Sequence, residues 1–386
     1  MPTGRDINPF RFSGPLAPED MIDRDRESEE LLALAEGGHS FRLVGPRRYG
    51  KTTLLRRVLN AAEQEHIATV LVDLQDVLSI GEIVVRIERG YDRLKGPIRR
   101  TVDHFFRSWN IGLALGGGGF TATLQRNPSV DAESVLLRLL ELPMALFERD
   151  GTTSLIVFDE IQDVLAVPGA DGKIRSVIQH QMEAATYAFA GSAPGYMQQL
   201  FADPKRPLLD QAVPRNLAPL PLDQVADYVT QHFEKSDRQV GTALQPLLDF
   251  TRGHPQRSMM LAHYLWQSTA RGSRADEGTW IAAMDQAAAD SAPLMRAIWR
   301  NLTTNERRVV RALAVTTTPL YSEETAAAVG IKRMSIRAAV DSLLGSADVI
   351  STPDSERPRI TDPMFEFWLQ SRGLTPDSGD DADEEL

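Results

Sequence analysis

The run Gly45-Pro46-Arg47-Arg48-Tyr49-Gly50-Lys51-Thr52 constrains the rest of the chain more than any other stretch. Its G-x-x-x-x-G-K-[ST] spacing carries chemistry only where a strand feeds it and a helix leaves it. Phe41-Arg42-Leu43-Val44 before it is a short apolar run of strand type, and Thr53 to Leu59 after it places apolar residues at helical spacing. A loop that wraps a polyphosphate with backbone N–H groups needs glycine where a Cβ would block the approach, which is the reading of Gly45 and Gly50. Pro46, Arg47, Arg48 and Tyr49 form the cradle between them. The helix opens at the loop, so its unpaired N–H groups and its positive dipole end face the phosphates. Lys51 then acts as a point charge on the outer phosphates, the Thr52 hydroxyl as a Mg2+ ligand, and Thr53 follows in the first turn. The bland alternative, a Gly-rich turn that holds a lysine by chance, does not account for the strand and helix.

A chain of 386 residues is long enough for two or three domains. It contains no cysteine, which excludes disulfides, thiolate metal sites and cysteine nucleophiles. Its seven histidines form no H-x-x-x-H pair, so the only metal expected is the Mg2+ of a nucleotide. The N-terminus lacks the apolar core of a secretory signal and no window is apolar enough to span a bilayer, so a cytoplasmic protein without membrane partners is expected. The net charge of -11 argues against whole-molecule attraction to nucleic acid but leaves room for a local basic patch.

Four prolines in the first twenty residues predict an extended arm, followed by a helix from about Asp23 with acids in its first turn. Ile67 to Asp73 reads as a second core strand, apolar on both faces. After a helix ending near Leu94, two β-rich runs flank Gly116-Gly117-Gly118-Gly119, which predicts a hairpin insertion with a flexible tip and a candidate partner contact. Those glycines carry no lysine and open no helix, so they are not a second phosphate loop.

A helix from about Asp131 to Glu148 leads into the buried strand Ser154-Leu155-Ile156-Val157-Phe158, which ends in Asp159-Glu160. Downstream of a phosphate loop, the first acid is read as the Mg2+ ligand and the second as the base that orients and deprotonates water. A fourth strand, Tyr187 to Ser192, ends where a doubly wound sheet aligns its ligand-facing groups. Ser192 is there either to touch the γ-phosphate or to cap the strand. Arg215 is expected just before a short strand, and a helix follows from Asp223 to Phe233.

From about Gly241 to Ala289 the chain reads as helical, punctuated by Gly253-His254-Pro255, a stop followed by a new start. Thr304 is expected to cap a helix carrying Arg307 to Ala314, Ser322 to cap Glu323 to Val329, and Gly330 to turn into Lys332 to Leu344. Strand-like Val349 to Ser351 and Pro358 to Thr361 complete a winged helix-turn-helix. The last dozen residues hold six acids and no base, hence a disordered tail.

With these motifs together, the sequence resembles the archaeal-type ATPase branch of the AAA+ and STAND NTPases, from the Asn8-Pro9-Phe10 arm to Phe365-Glu366-Phe367-Trp368. The resemblance implies an α/β P-loop core over 1–235 with arm and insertion, a helical lid over 236–301, a winged helix over 302–373 and an acidic tail over 374–386. It implies that Arg24 and Glu27 lie over the nucleotide base, although Asp23 stands where glycine is usual. It also implies a sensor role for Ser192, an Arg215 that reaches a neighbour's γ-phosphate in an oligomer, a Pro255 that packs near adenine, and a lid sensor at Arg257. For Arg215 and Arg257 an ordinary surface arginine is the competing reading.

Three functions follow as expectations. One is a slow ATPase, with ATP and Mg2+ bound, that works as an oligomeric switch. The second is an ATP-controlled DNA binder that offers Lys332, Arg333 and Arg337 to duplex phosphates. The third is a signalling or defence scaffold whose winged helix docks a protein, since that segment is nearly charge-balanced and fold analogy alone does not decide function.

Overall fold

The chain divides into two bodies, one formed by Ala17–Leu217 and one by Met1–Leu16 together with Ala218–Leu386. The computed structural model describes residues 6–14, 16–18, 21–108, 131–346, 349–352 and 357–372. The expected hairpin around Gly116 to Gly119 and the acidic tail lie outside the described residues.

The body Ala17–Leu217 is built on a five-stranded parallel sheet of β1 (Phe41–Val44), β2 (Ala68–Asp73), β3 (Ser154–Asp159), β4 (Ala185–Gly191) and β5 (Val213–Asn216), in the order β2-β3-β4-β1-β5. Side chains alternate across a strand, and here both faces are covered. Thus Leu155 and Val157 of β3 join one core with Leu31, Phe41, Leu54 and Val58, while Ile156 and Phe158 join the other with Ile83, Leu136, Tyr187 and Phe189. This double burial is why the strands read as continuous apolar runs. Helices α1 (Asp25–Glu36), α2 (Lys51–Gln64) and α3 (Ile80–Tyr91) pack on the sheet. The parallel register brings the strand ends to one edge: Asp73 lies beside Asp159, and Val44 lies between Gly191 and Asn216. Arg215 lies inside β5, not before it. Its strand is at the sheet edge, where Pro214 does not interrupt an inner ladder.

In the other body, the N-terminal arm packs on the helices that follow residue 218. Phe10 is 1% exposed and meets the rings of Tyr228, His232 and Phe233. The Asn8 amide donates to the His263 carbonyl at 3.0 Å, and Asp6 pairs with Arg238 at 2.6 Å. Helices Leu222–Lys235, Leu244–Thr251, Pro255–Ser268 and Glu277–Asn301 form the helical layer. The winged helix-turn-helix follows as Thr304–Val315, Glu323–Val329 and Arg333–Ser346, an antiparallel ribbon of Ile350–Ser351 with Arg359–Ile360, and the helix Pro363–Gln370. Ser322 caps as expected, accepting from the Thr325 N–H at 3.1 Å. The first cap is Thr303, not Thr304, because Glu306 stands three residues after Thr303 and returns the bond to its N–H at 2.8 Å, closing a capping box. No helix among the described residues is long and apolar enough to cross a membrane.

Candidate nucleotide site

The loop between β1 and α2 is fixed from both ends. Gly50 precedes α2 at φ +88°, a left-handed conformation that an L side chain resists. At Gly45 a Cβ would sit 2.9 Å from the Cβ of Leu217, so glycine is set there by the chain's own packing as well as by ligand approach. Arg48 also adopts a positive φ, +67°. Lys51 is 5% exposed, and its ammonium donates to the carbonyls of Gly45 at 2.7 Å and Pro46 at 3.0 Å. The lysine is therefore folded back across the loop that a phosphate would occupy.

One residue on, the Thr52 hydroxyl donates to Asp159 Oδ2 at 2.7 Å, joining the first turn of α2 to the end of β3. Burial pushes the Asp159 carboxyl above its ordinary value and the neighbouring Glu160 charge adds to this, while the Thr52 hydrogen bond opposes it. A hydroxyl and a carboxylate oxygen held this close are hard donors of the kind Mg2+ takes, so the residues present fit that ion.

Glu160 is the N-terminal neighbour of a 3-10 turn, Ile161–Ala166, and sits at φ +51°, ψ +42°. Three donors converge on its Oε2: Gln162 Nε2 at 2.7 Å, the Ser192 hydroxyl at 2.8 Å and the Ser192 N–H at 3.2 Å. Its other oxygen, Oε1, receives no donor among the described residues. Gln162 also donates to Asp163 at 3.1 Å, and Asp163 in turn accepts from the Asp76 N–H at 2.8 Å. Sequence reasoning did not single out Gln162 and Asp163 as supports of Glu160. Their signal was the run Asp159-Glu160-Ile161-Gln162-Asp163, in which polar residues crowd a strand end.

The remaining candidates are placed as follows. Arg24 is buried at φ +74° just before α1 and pairs with Glu27 at 2.5 Å. Asp23, where glycine was expected, takes φ +53°, so two successive residues adopt the left-handed conformation that glycine would take without strain. Arg57 from α2 holds this turn by donating to the Asp23 carbonyl and pairing with Asp25. Arg215 is half-buried, bonds to the Pro214 carbonyl at 2.9 Å and lies 3.8 Å from Glu30. Pro255 opens the helix Pro255–Ser268 behind the cap His254. Arg257 is 2% exposed, which excludes a surface arginine. Its guanidinium is engaged by Asp362, Met260 and Ser291. Lys332, Arg333 and Arg337 are all exposed at the start of the helix Arg333–Ser346, beside Met334 at 86% exposure.

A parallel sheet with a phosphate loop after β1, an acid pair ending β3 and β4 inserted between those strands is the architecture of a P-loop NTPase. No protein-family model and no curated protein matches the sequence. Among solved structures, the chain is similar to a Walker-type ATPase of Pyrococcus abyssi, with 17% identity, 94% of this chain and 99% of that chain covered, and a TM-score of 0.68. It is also similar to the ORC2 protein of Aeropyrum pernix in ADPNP-ADP complexes, with 15% identity, coverage of 94% and 97%, and a TM-score of 0.55. These likenesses establish the fold, a P-loop NTPase core followed by a winged helix.

Proposed function

We propose that the chain binds ATP and Mg2+ and hydrolyses ATP as an AAA+-type switch. The observation that carries this reading is the closure of Thr52 on Asp159 at 2.7 Å beside a Glu160 that is oriented on one carboxylate oxygen and open on the other. Lys51 exchanges its loop carbonyls for the outer phosphates. Mg2+ held by Thr52 and Asp159 would supply charge neutralisation on those phosphates. Ser192 and Gln162 hold Oε2 of Glu160, leaving Oε1 to receive the proton of the attacking water. The water oxygen bonds to the γ-phosphorus, the bond from that phosphorus to the bridging oxygen breaks, and its electron pair leaves with ADP.

Arg215 lies half-buried on an edge strand, the placement of a group that serves a neighbouring copy. We therefore assign the active state to a homo-oligomer, and slow turnover to the isolated chain. The division into core (1–235), lid (236–301) and winged helix (302–373) belongs to the same reading. Lys332, Arg333 and Arg337 present three exposed cations at one helix start, and this favours duplex DNA phosphates as the winged-helix partner.

The test is steady-state ATP hydrolysis by the full chain beside Glu160→Gln, over a range of protein concentration, with and without duplex DNA. Turnover lost in Glu160→Gln and rising more than linearly with protein supports the oligomeric ATPase. Tight ATP binding with no turnover at any concentration replaces it with a nonhydrolysing scaffold.

A further inference from the structure

A pocket of about 260 Å³ opens next to the Thr52 and Asp159 pair, over the ends of β2 and β3. Its wall carries Arg56, Arg86, Arg89 and Arg93. Arg56 stands four residues after Thr52 on α2 and so shares its face. Arg86, Arg89 and Arg93 recur at helical spacing along α3 and the turn that follows it, a stripe that faces the same opening. Helix α3 can lie this low on the sheet because residue 90 is glycine: a Cβ there would come within 2.9 Å of Val70 Cγ1 and 3.1 Å of the Leu71 carbonyl.

Cations that line a groove usually find acids. Here only Arg86 is engaged, donating to the Gln75 carbonyl at 3.3 Å. Among the described residues, no hydrogen bond or ion pair engages the guanidinium of Arg56, Arg89 or Arg93. The acids of the pocket, Asp73, Asp159 and Glu160, gather at its Thr52 end, where Asp73 and Asp159 are register partners. The volume is below the roughly 300–1,000 Å³ of pockets that enclose drug-sized ligands, but it is ample for a phosphate. Planar guanidinium groups that converge on a small polar cavity are matched to a tetrahedral oxyanion.

We propose that this pocket is a second anion site that holds inorganic phosphate, receiving it as it leaves the γ-position past Thr52 and Glu160. The assignment rests on the hydrolytic reading for its source of phosphate, while the site itself stands on the four arginines. Arg89 and Arg93 are exposed on the helix end, so glutamine is tolerated there without loss of the fold. Retained phosphate would keep a state after hydrolysis distinct from the ADP state.

The experiment is calorimetric titration of inorganic phosphate into the full chain saturated with ADP and Mg2+, for wild type and the double variant Arg89→Gln/Arg93→Gln. Wild type is expected to bind one phosphate, and the double variant to bind it at least about tenfold more weakly with ADP affinity unchanged. Absence of phosphate binding by wild type overturns the proposal. Equal binding by both proteins also overturns it, placing the phosphate on Lys51 instead. A separate ADP titration isolates the nucleotide reading: if wild type fails to bind ADP, the same phosphate comparison without nucleotide still decides the arginine site.

Discussion

Arg257 and Asp362, separated by 105 residues, meet in a two-pronged ion pair, with Nε to Oδ1 at 2.8 Å and Nη2 to Oδ2 at 2.5 Å. The arginine belongs to the helix Pro255–Ser268, and Asp362 caps the last helix of the winged segment, Pro363–Gln370, by accepting from the Met364 N–H. The winged helix is thereby tied to the helical layer by buried charge, with Arg252 and Glu366 pairing alongside.

Breaking one side of this pair leaves the other charge buried without a partner. Asp362→Ala is expected to cost about 3–5 kcal/mol, measured by urea denaturation. The apolar double replacement Arg257→Met/Asp362→Leu is expected to cost less than the sum of the single changes. Additive losses would show that the two side chains do not act together.

The same pair sets an acid limit. Burial alone would raise the Asp362 carboxyl, but the Arg257 hydrogen bonds and charge, with His254 adding to them, hold it below its ordinary value. A carboxyl lowered on folding contributes stability that is complete above its unfolded value, about pH 3.9, and is lost as pH falls towards the lower folded value. Wild type should therefore lose stability more steeply than Asp362→Asn below about pH 4. Parallel melting-temperature profiles for the two proteins would refute this.

At the phosphate loop, Lys51→Ala removes the one buried ammonium that spans the loop. ATP affinity is expected to fall roughly a hundredfold, about 3 kcal/mol, without a change in melting temperature of the nucleotide-free chain beyond a few degrees. Fluorescent-nucleotide titration measures it, and unchanged affinity would remove the site assignment.

Glu160→Gln keeps the shape of the side chain and removes the base. ATP binding should persist while kcat falls by about 10²–10⁴. Gln162→Ala and Ser192→Ala, which release Oε2, should lower kcat with little effect on KM; a change confined to KM would instead place these residues at the bound nucleotide.

Gly45→Ala and Gly50→Ala should fail for different reasons. The first drives a Cβ to 2.9 Å from the Cβ of Leu217, so its damage should be relieved by Leu217→Gly, which removes that atom, and not by Leu217→Ala, which keeps it. The second meets open space and bears only the left-handed penalty of about 1–2 kcal/mol, which no neighbouring change relieves. Double-mutant stability cycles separate the two.

Local chemistry alone was enough to show the phosphate loop, the acid-tipped strand, the cap at Ser322, the stop and new start at Gly253-His254-Pro255, and the winged ribbon. Each is a signal within a few residues: glycine spacing, alternating burial, a hydroxyl before a helix. The same locality explains two shifts. Thr303 and Thr304 compete for one cap, and the winner is decided by the distance to Glu306. Arg215 sits inside a strand whose edge position is set by β1 alone, which a four-residue run does not reveal.

The sequence by itself determined an α/β chain with a phosphate-loop motif, followed by helical and winged-helix segments, because period, turn chemistry and glycine spacing are written in neighbouring residues. Only the tertiary structure decided the partners of its charges. Asp6 pairs across 232 positions with Arg238, Asp362 takes the guanidinium of Arg257, Ser192 and Gln162 turn Glu160, and α2, α3 and the turn after α3 bring four arginines to one pocket. Buried ion pairs and convergent cations depend on which surfaces the closed chain brings together, and that is a property of packing rather than of spacing along the chain.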